Sequence, residues 1–248
     1  DYYGNLENLD KAIEIYSGSD EMNPADVKGS VTNVKDIIKD LPQVHSEVWD
    51  IFSAIKNKYD TEAYAVHLGD EEQRHLFYEK LSNAAISIID PEVVYTPAYF
   101  GIKYPNGDVP AKTGVCTDVV IRAYRKLGID LQKEVHEDMK ANFSLYPNLE
   151  KWGLKTTDKN IDHRRVPNLE VFFSRKGATL PITQNPKDYK AGDLVTWMIG
   201  DKLPHIGIVT HIKSSNGNPM IVHNVGSGQV LEDCLFSWKI VGHYKYGN

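Results

Sequence analysis

One cysteine, two histidines and the segments that carry them are the residues of this chain best suited to covalent chemistry. In "GVCTDVVIRAYRKLGI" (114–129), Cys116 stands just before an apolar stripe of helical period: Val119, Val120, Ala123, Tyr124 and Leu127. Its sulfur would therefore lie at a helix N-terminus, where unpaired N–H groups and the positive dipole end favour thiolate over thiol. A thiol nucleophile also needs a base, and histidine is the usual one. In "LPHIGIVTHI", residues 205, 207, 209 and 211 share one face of an alternating strand. His205 and His211 would stand roughly 20 Å apart along it, so only one can serve Cys116. His205 is the better placed, because Gly207 leaves space over the strand for a helix end or substrate, whereas His211 falls beside a polar turn. A third polar group commonly orients such an imidazole. "MIVHNVGSG" offers His223 and Asn224, which as strand neighbours must face opposite ways. His223 is preferred and Asn224 is the alternative. Two other fates compete for Cys116: a small core residue, or half of a bridge to Cys234, the second of the two cysteines. Cys234, in "LEDCLFSW", has no neighbouring histidine and reads as a packing or partly exposed thiol.

These side chains need a helix and a sheet to position them. The Cys116 helix should stop at Gly128, with Arg122, Arg125 and Lys126 on its solvent side. From Ala191 the period changes to that of strands: "GDLVTWMI", "HIGIVTHI", "MIVHNV" and "IVGHYKY", separated by Gly, Asn and Pro signals, predict an antiparallel sheet. Asn216-Gly217 predicts a tight hairpin turn between two of them. Upstream, a helix capped by Asp70 should run through Leu76, Phe77, Leu81, Ala85 and Ile88 to Asp90-Pro91. The expected division is a helical N-terminal region over 1–70 and a catalytic domain over 71–248. The first region carries the apolar stripes Leu6, Leu9, Ile13, Tyr16 and Val34, Ile37, Ile38, Leu41, then Val48, Trp49, Phe52, Ile55, and gathers no catalytic residue types.

Composition narrows the function classes. A chain of 248 residues with 41% hydrophobic residues can bury a sizeable core. A formal net charge of -6 argues against a general nucleic-acid binder. No apolar run approaches the ~20 residues that span a bilayer, so the expectation is not transmembrane. The chain opens at Asp1 without an initiator Met, which fits a removed signal peptide or an engineered boundary. Zinc spacings, a P-loop, G-x-S-x-G and G-x-G-x-x-G are all missing, so no metal or other cofactor is expected.

The segments "GVCTDVVIRAYRKLGI", "AGDLVTW", "PHIGIV" and "IVHNVGSG" resemble the helix and two strands of the NlpC-type cell-wall peptidases, a papain-like superfamily with the chain order Cys, His, polar residue. A closer resemblance covers "PAYFGIKYPNGDVPAKTGVCTDVVIRAYRKLGIDLQKEVHEDM", "NFSLYP", "WGLKTTDKNIDHRRVPNL" and the terminal "GHYKY". It is to the bacterial domain-of-unknown-function family 1287, usually regarded as an NlpC-type relative. The resemblance implies an α+β papain-like domain, its nucleophile helix packed on an antiparallel sheet. It implies amide hydrolysis by Cys116, His205 and His223, a peptide or peptidoglycan-like substrate, and a periplasmic or cell-surface location. In that superfamily a tyrosine upstream of the nucleophile helps hold the oxyanion; Tyr104 stands at the matching distance, with Tyr95 and Tyr99 as rivals. NlpC-type endopeptidases commonly carry Asp-Cys-Ser-Gly where this chain reads Val115-Cys116-Thr117-Asp118, which puts the usual stem-peptide substrate in question.

In "NIDHRRVPNL", His163, Arg164 and Arg165 precede Pro167, a first-turn residue for a helix through Leu169, Phe172 and Phe173 that should stop at Gly177. Arginine grips carboxylates bidentately, so this loop could clamp an acidic peptide; equally it could anchor itself to Asp158 or Asp162. His163, Arg164 and Arg165, with Asp118 and Asn224, are the candidate substrate-binding residues. Two other functions fit the same residues: a cysteine acyl hydrolase or transferase acting on a thioester or lipid, and a non-catalytic cell-wall-binding module.

Overall fold

The structure, a computed structural model, describes residues 73–247. The expected helical region over 1–70 and the cap at Asp70 lie outside the described residues. Helix α1 spans 73–87 and turns its Leu81 and Ala85 into the core. Strands β1 (Val94–Tyr95) and β2 (Thr113–Gly114) pair in parallel and deliver the chain to α2 (Cys116–Lys126).

The stripe of α2 is buried as its period requires, and Gly128, at φ +81°, closes the helix in the left-handed conformation that glycine adopts without strain. Arg122 and Arg125 depart from the expected solvent side. Both reach Asp108 Oδ2, at 3.1 and 2.9 Å, and Arg122 also donates to the Gln229 side chain and the Thr113 carbonyl. They fasten the helix flank to the loop that precedes it. Helices α3 (Leu131–Ala141), α4 (Asn148–Trp152) and α5 (Val166–Lys176) follow. Pro167 sits in the first turn of α5, which ends at Gly177 as expected.

The sheet runs β3 (Ala178–Thr179), β8 (Lys239–Lys245), β4 (Leu194–Ile199), β5 (Leu203–Lys213), β6 (Pro219–His223), β7 (Val230–Glu232) in spatial order, antiparallel throughout. Asn216-Gly217 lies in the turn between β5 and β6, with Gly217 at φ +81°. Period-2 alternation gives the sheet two apolar faces. On one, Leu194, Ile206, Ile208, Val222 and Tyr244 meet α1, α2, α3 and α5 through Leu81, Val120, Tyr124, Leu131, Leu169 and Phe173. On the other, Val195, Trp197, Val209 and Ile221 pack with Tyr189, Cys234, Leu235 and Ile240. The fold is α+β, with the Cys116 helix on an antiparallel sheet. No described helix is long and apolar enough to cross a membrane.

Candidate active site

Cys116 is the first residue of α2 and is buried. The backbone N–H groups of Ile206 in β5, of Thr117 and of Cys116 itself favour its thiolate, but burial outweighs them and pushes the thiol up to about 12. Both cysteines are free, so the bridge between them is not made.

His205 and His223 lie on one face of neighbouring strands, their ring nitrogens Nε2 and Nδ1 2.9 Å apart. His223 Nε2 lies 3.0 Å from Glu232 Oε2 on β7, the diagonal neighbour across the β6–β7 pair. Trp197 and Trp238 pack against the His205 ring at 5.7 and 5.6 Å between centroids. Burial and then the neighbouring His223 push His205 down to about 3. Burial lowers His223 as well, opposed by Glu232.

Proton bookkeeping along this row follows from the carboxylate. Glu232 accepts, so His223 Nε2 donates and its Nδ1 accepts from His205 Nε2–H, which leaves His205 Nδ1 as a free base. Asn224 faces elsewhere: its Oδ1 accepts from Gly226 N–H, and its Nδ2 is buried without a hydrogen-bond partner. Gly207 does not leave the open space expected of it. A Cβ there would stand 2.6 Å from Ile221 Cγ2 and 3.2 Å from His223 Cβ, so the missing side chain makes room for β6 and its histidine.

The Cys116 sulfur meets β5 at the backbone of Ile206 on the helix face. His205, one residue earlier in an alternating strand, lies on the opposite face with Trp197, Trp238 and His223, so the expected Cys116–His205 contact is not made in the resting structure. A direct thiol–imidazole contact is made by the other cysteine: Cys234 Sγ lies 3.5 Å from His223 Nε2. Cys234 has no histidine near it in sequence but gains one across the sheet.

Tyr104 is placed away from the nucleophile, with its ring edge on His136 at 5.3 Å and Lys159 over its face. The tyrosine that senses the Cys116 charge is Tyr95, raised to about 12 by burial and then by Cys116 and Asp118. Its register partner in the parallel ribbon, Gly114, precedes Cys116 by two residues, which is what brings it there.

Of the loop residues, Arg164 is not free to clamp a substrate. It grips Asp118 bidentately, Nε to Oδ1 and Nη2 to Oδ2 at 2.9 Å each, with both side chains 2% exposed. Asp118 Oδ2 also accepts the Val115 N–H at 2.7 Å, and Thr117 donates to the Arg164 carbonyl. The pair staples the loop to the nucleophile end of α2, a different anchor from the Asp158 or Asp162 considered above. His163 is buried and held down to about 3, chiefly by burial. Arg165 lies over the Trp152 ring at 4.1 Å and 3.5 Å from Asp162, and it borders a cavity of about 510 Å³ with Tyr99, His136, Asp158 and Lys159.

Glu232 escaped the sequence reading, and Tyr95 stood in it only as a rival to Tyr104. Glu232 had one available signal, since in "QVLED" it stands in a short apolar–acidic run on the strand after His223.

Among solved structures, "Structure of NlpC1 from Trichomonas vaginalis" matches 68% of this chain and 44% of its own, at 14% identity and a TM-score of 0.37; this chain spans less than half of it. Among curated proteins, "Uncharacterized protein YijF" of Escherichia coli (strain K12) is 52% identical over 166 residues, 67% of this chain and 80% of that protein. Residues 82–246 match the family described as "Domain of unknown function (DUF1287)", and the chain belongs to that family.

Proposed function

We propose that the chain is a cysteine-dependent amidase or peptidase of papain-like type that cleaves an amide bond in bacterial cell-wall peptide, in the periplasm or at the cell surface. The observation that carries this reading is the buried Cys116 at the start of α2, its sulfur met by the Ile206 N–H, one residue along β5 from the row Glu232–His223–His205. That row lies on the other face of β5, so the reading requires His205 to turn toward the sulfur.

Burial favours the neutral forms of both Cys116 and His205, so the resting pair is thiol and imidazole. As the sulfur bonds to the amide carbon, His205, turned toward the sulfur at the start of β5 when substrate enters, takes the thiol proton on Nδ1. The Cys116 backbone N–H and the Tyr95 hydroxyl hold the oxyanion. The imidazolium then protonates the leaving amine, the C–N bond breaks, and a thioester remains. Water, giving its proton to His205, attacks the thioester and releases the acid and the thiol. Glu232 fixes the His223 tautomer on which this sequence depends. The cavity bordered by Arg165 and Lys159 offers positive charge to a carboxylate of the peptide.

The test is incubation with defined muropeptides, reading cleavage products and an acyl adduct on Cys116 by mass spectrometry. Cleavage that is lost in Cys116→Ala supports the reading. Cleavage of thioester or lipid acyl probes alone would move the protein to the acyl hydrolases. Muropeptide binding without turnover, unaltered in Cys116→Ser, would contradict catalysis and indicate a binding module.

A further inference from the structure

The mechanism above makes no use of Cys234, although its sulfur lies 3.5 Å from the nitrogen of His223 that faces Glu232. His223 Nε2, a Glu232 carboxylate oxygen and Cys234 Sγ all fall within 4.8 Å of one another. These are one imidazole, one carboxylate and one thiol, a donor set suited to a borderline-soft divalent ion of the zinc class.

The spacing agrees with that ion. Zinc bonds of about 2.0–2.3 Å at tetrahedral angles set donor–donor edges of roughly 3.3–3.6 Å. The nitrogen–sulfur edge of 3.5 Å is already there, the nitrogen–oxygen edge of 3.0 Å needs a few tenths of an ångström, and the oxygen–sulfur edge, within 4.8 Å, needs the carboxylate to move by up to about 1.2 Å. Glu232 can supply it, because its side chain is 44% exposed while His223 and Cys234 are buried. The same opening gives an ion its entry path and a water its place as fourth ligand. Among the described residues the only ion-pair partner of Glu232 is His223, and Asp233 adds a second carboxylate beside the site, tied to Asn216 and Asn218.

We propose that His223, Glu232 and Cys234 form a binding site for one zinc-class divalent cation, and that filling it silences Cys116. The silencing rests on the function proposed above and follows from hydrogen-bond direction. An imidazole coordinated through Nε2 carries its proton on Nδ1. That proton would point at His205 Nε2, the nitrogen that must itself present a proton when His205 receives the one from Cys116. Two N–H groups cannot face each other across 2.9 Å.

The experiment loads the metal-free protein with Co²⁺ and follows the thiolate-to-metal charge-transfer absorption, then repeats the titration with Zn²⁺ against a chromogenic chelator. One ion per chain is expected, with the charge-transfer band absent in Cys234→Ser and affinity weakened by at least ~10-fold. A band that persists in Cys234→Ser, or no binding by folded wild type, overturns the site. In parallel, iodoacetamide labelling of Cys116 is expected to slow on adding Zn²⁺ in wild type and to be insensitive to the same Zn²⁺ in Cys234→Ser. Equal labelling with and without bound metal would overturn the silencing while leaving the site standing. Binding is read without any substrate, so failure of the peptidase reading and failure of the metal site are separate results.

Discussion

The sulfur of Cys116 is held in a place that resists its ionisation. Burial pushes the thiol up to about 12 and His205 down to about 3, so neither charged form is stable alone and proton transfer must accompany bond formation. The oxyanion then needs donors already in place, and Tyr95, not Tyr104, stands where its hydroxyl feels the nucleophile's charge. Tyr95→Phe should lower kcat on a cleaved muropeptide by about 100-fold or more, in the range lost with one oxyanion donor, while Tyr104→Phe stays close to wild type. Steady-state kinetics of the two variants decide between them; equal losses would remove Tyr95 from the mechanism. The helix start at Cys116 and the shared face of the two histidines were legible because each sits in a strongly periodic segment. Alternation does not say which face of the sheet the α2 helix covers, and it covers the other one. Tyr95 was legible only as a rival to Tyr104, because a two-residue parallel pairing across 19 positions leaves no periodic trace to prefer it. The carboxylate at the end of the row was hidden for the same reason, since β7 is three residues long.

At the scale of the elements, two devices hold the parts of the site together. Gly207 lets β6 approach β5 closely enough for His223 to reach His205. Gly207→Ala puts a methyl group 2.6 Å from Ile221 Cγ2, and overpacking of this kind costs about 1–3 kcal/mol. Urea unfolding should show that loss, together with slower alkylation of Cys116 as His223 is displaced; unchanged stability would mean that β6 yields freely. The second device is the Arg164–Asp118 pair, which binds the loop before α5 to the first turn of α2. Removing one partner of so buried a pair strands the other charge, at about 3–5 kcal/mol. Arg164→Ala and Asp118→Ala should each approach that loss in denaturant unfolding, and the double variant should lose less than their sum. Additive losses would show that the two groups are not coupled. The loop's arginines stood out in the sequence, yet the partner of Arg164 did not, because it lies 46 residues away and nothing local marks it. The helices α2 and α5 and the strands β4, β5, β6 and β8 were legible from their period, whereas α3 was not among them and the ion pairs that orient the elements are set by tertiary approach.

The whole molecule carries buried histidine on the helix side as well as in the site. His163 is held neutral at about 3 by burial, then by Arg164 and Arg125, with Asp158 opposing and His136 adding a little. Its folded value is depressed below the unfolded value near 6.5. Its contribution is therefore fully present above about pH 6.5 and is lost as pH falls toward 3, because the unfolded chain binds the proton first. Within that window stability should fall by about 1.4 kcal/mol per pH unit on its account. Denaturant unfolding between pH 7 and 4 should show a shallower slope in His163→Gln than in wild type; an identical slope would contradict the burial of a neutral ring. The α+β architecture has helices covering one face of the sheet and loops the other, with Cys116 on the helix face and the ring of His205 on the loop face beside Trp197 and Trp238. Catalysis by this pair therefore requires His205 to turn toward the sulfur at the start of β5. Whether they work as a pair is the central claim, and one measurement addresses it without knowledge of the substrate. Native protein is alkylated with iodoacetamide at pH 7, and the rate at Cys116 is read by peptide mass spectrometry in wild type and in His205→Ala, each shown to be folded by circular dichroism and each compared with its own urea-unfolded chain. Cys234 cannot serve as the reference, since it lies against His223. A Cys116 that reacts in the native wild type and slows by about 100-fold or more without His205 is the predicted result. A Cys116 whose rate ignores His205, or that is inert in the native wild type, would contradict the nucleophile–base pair.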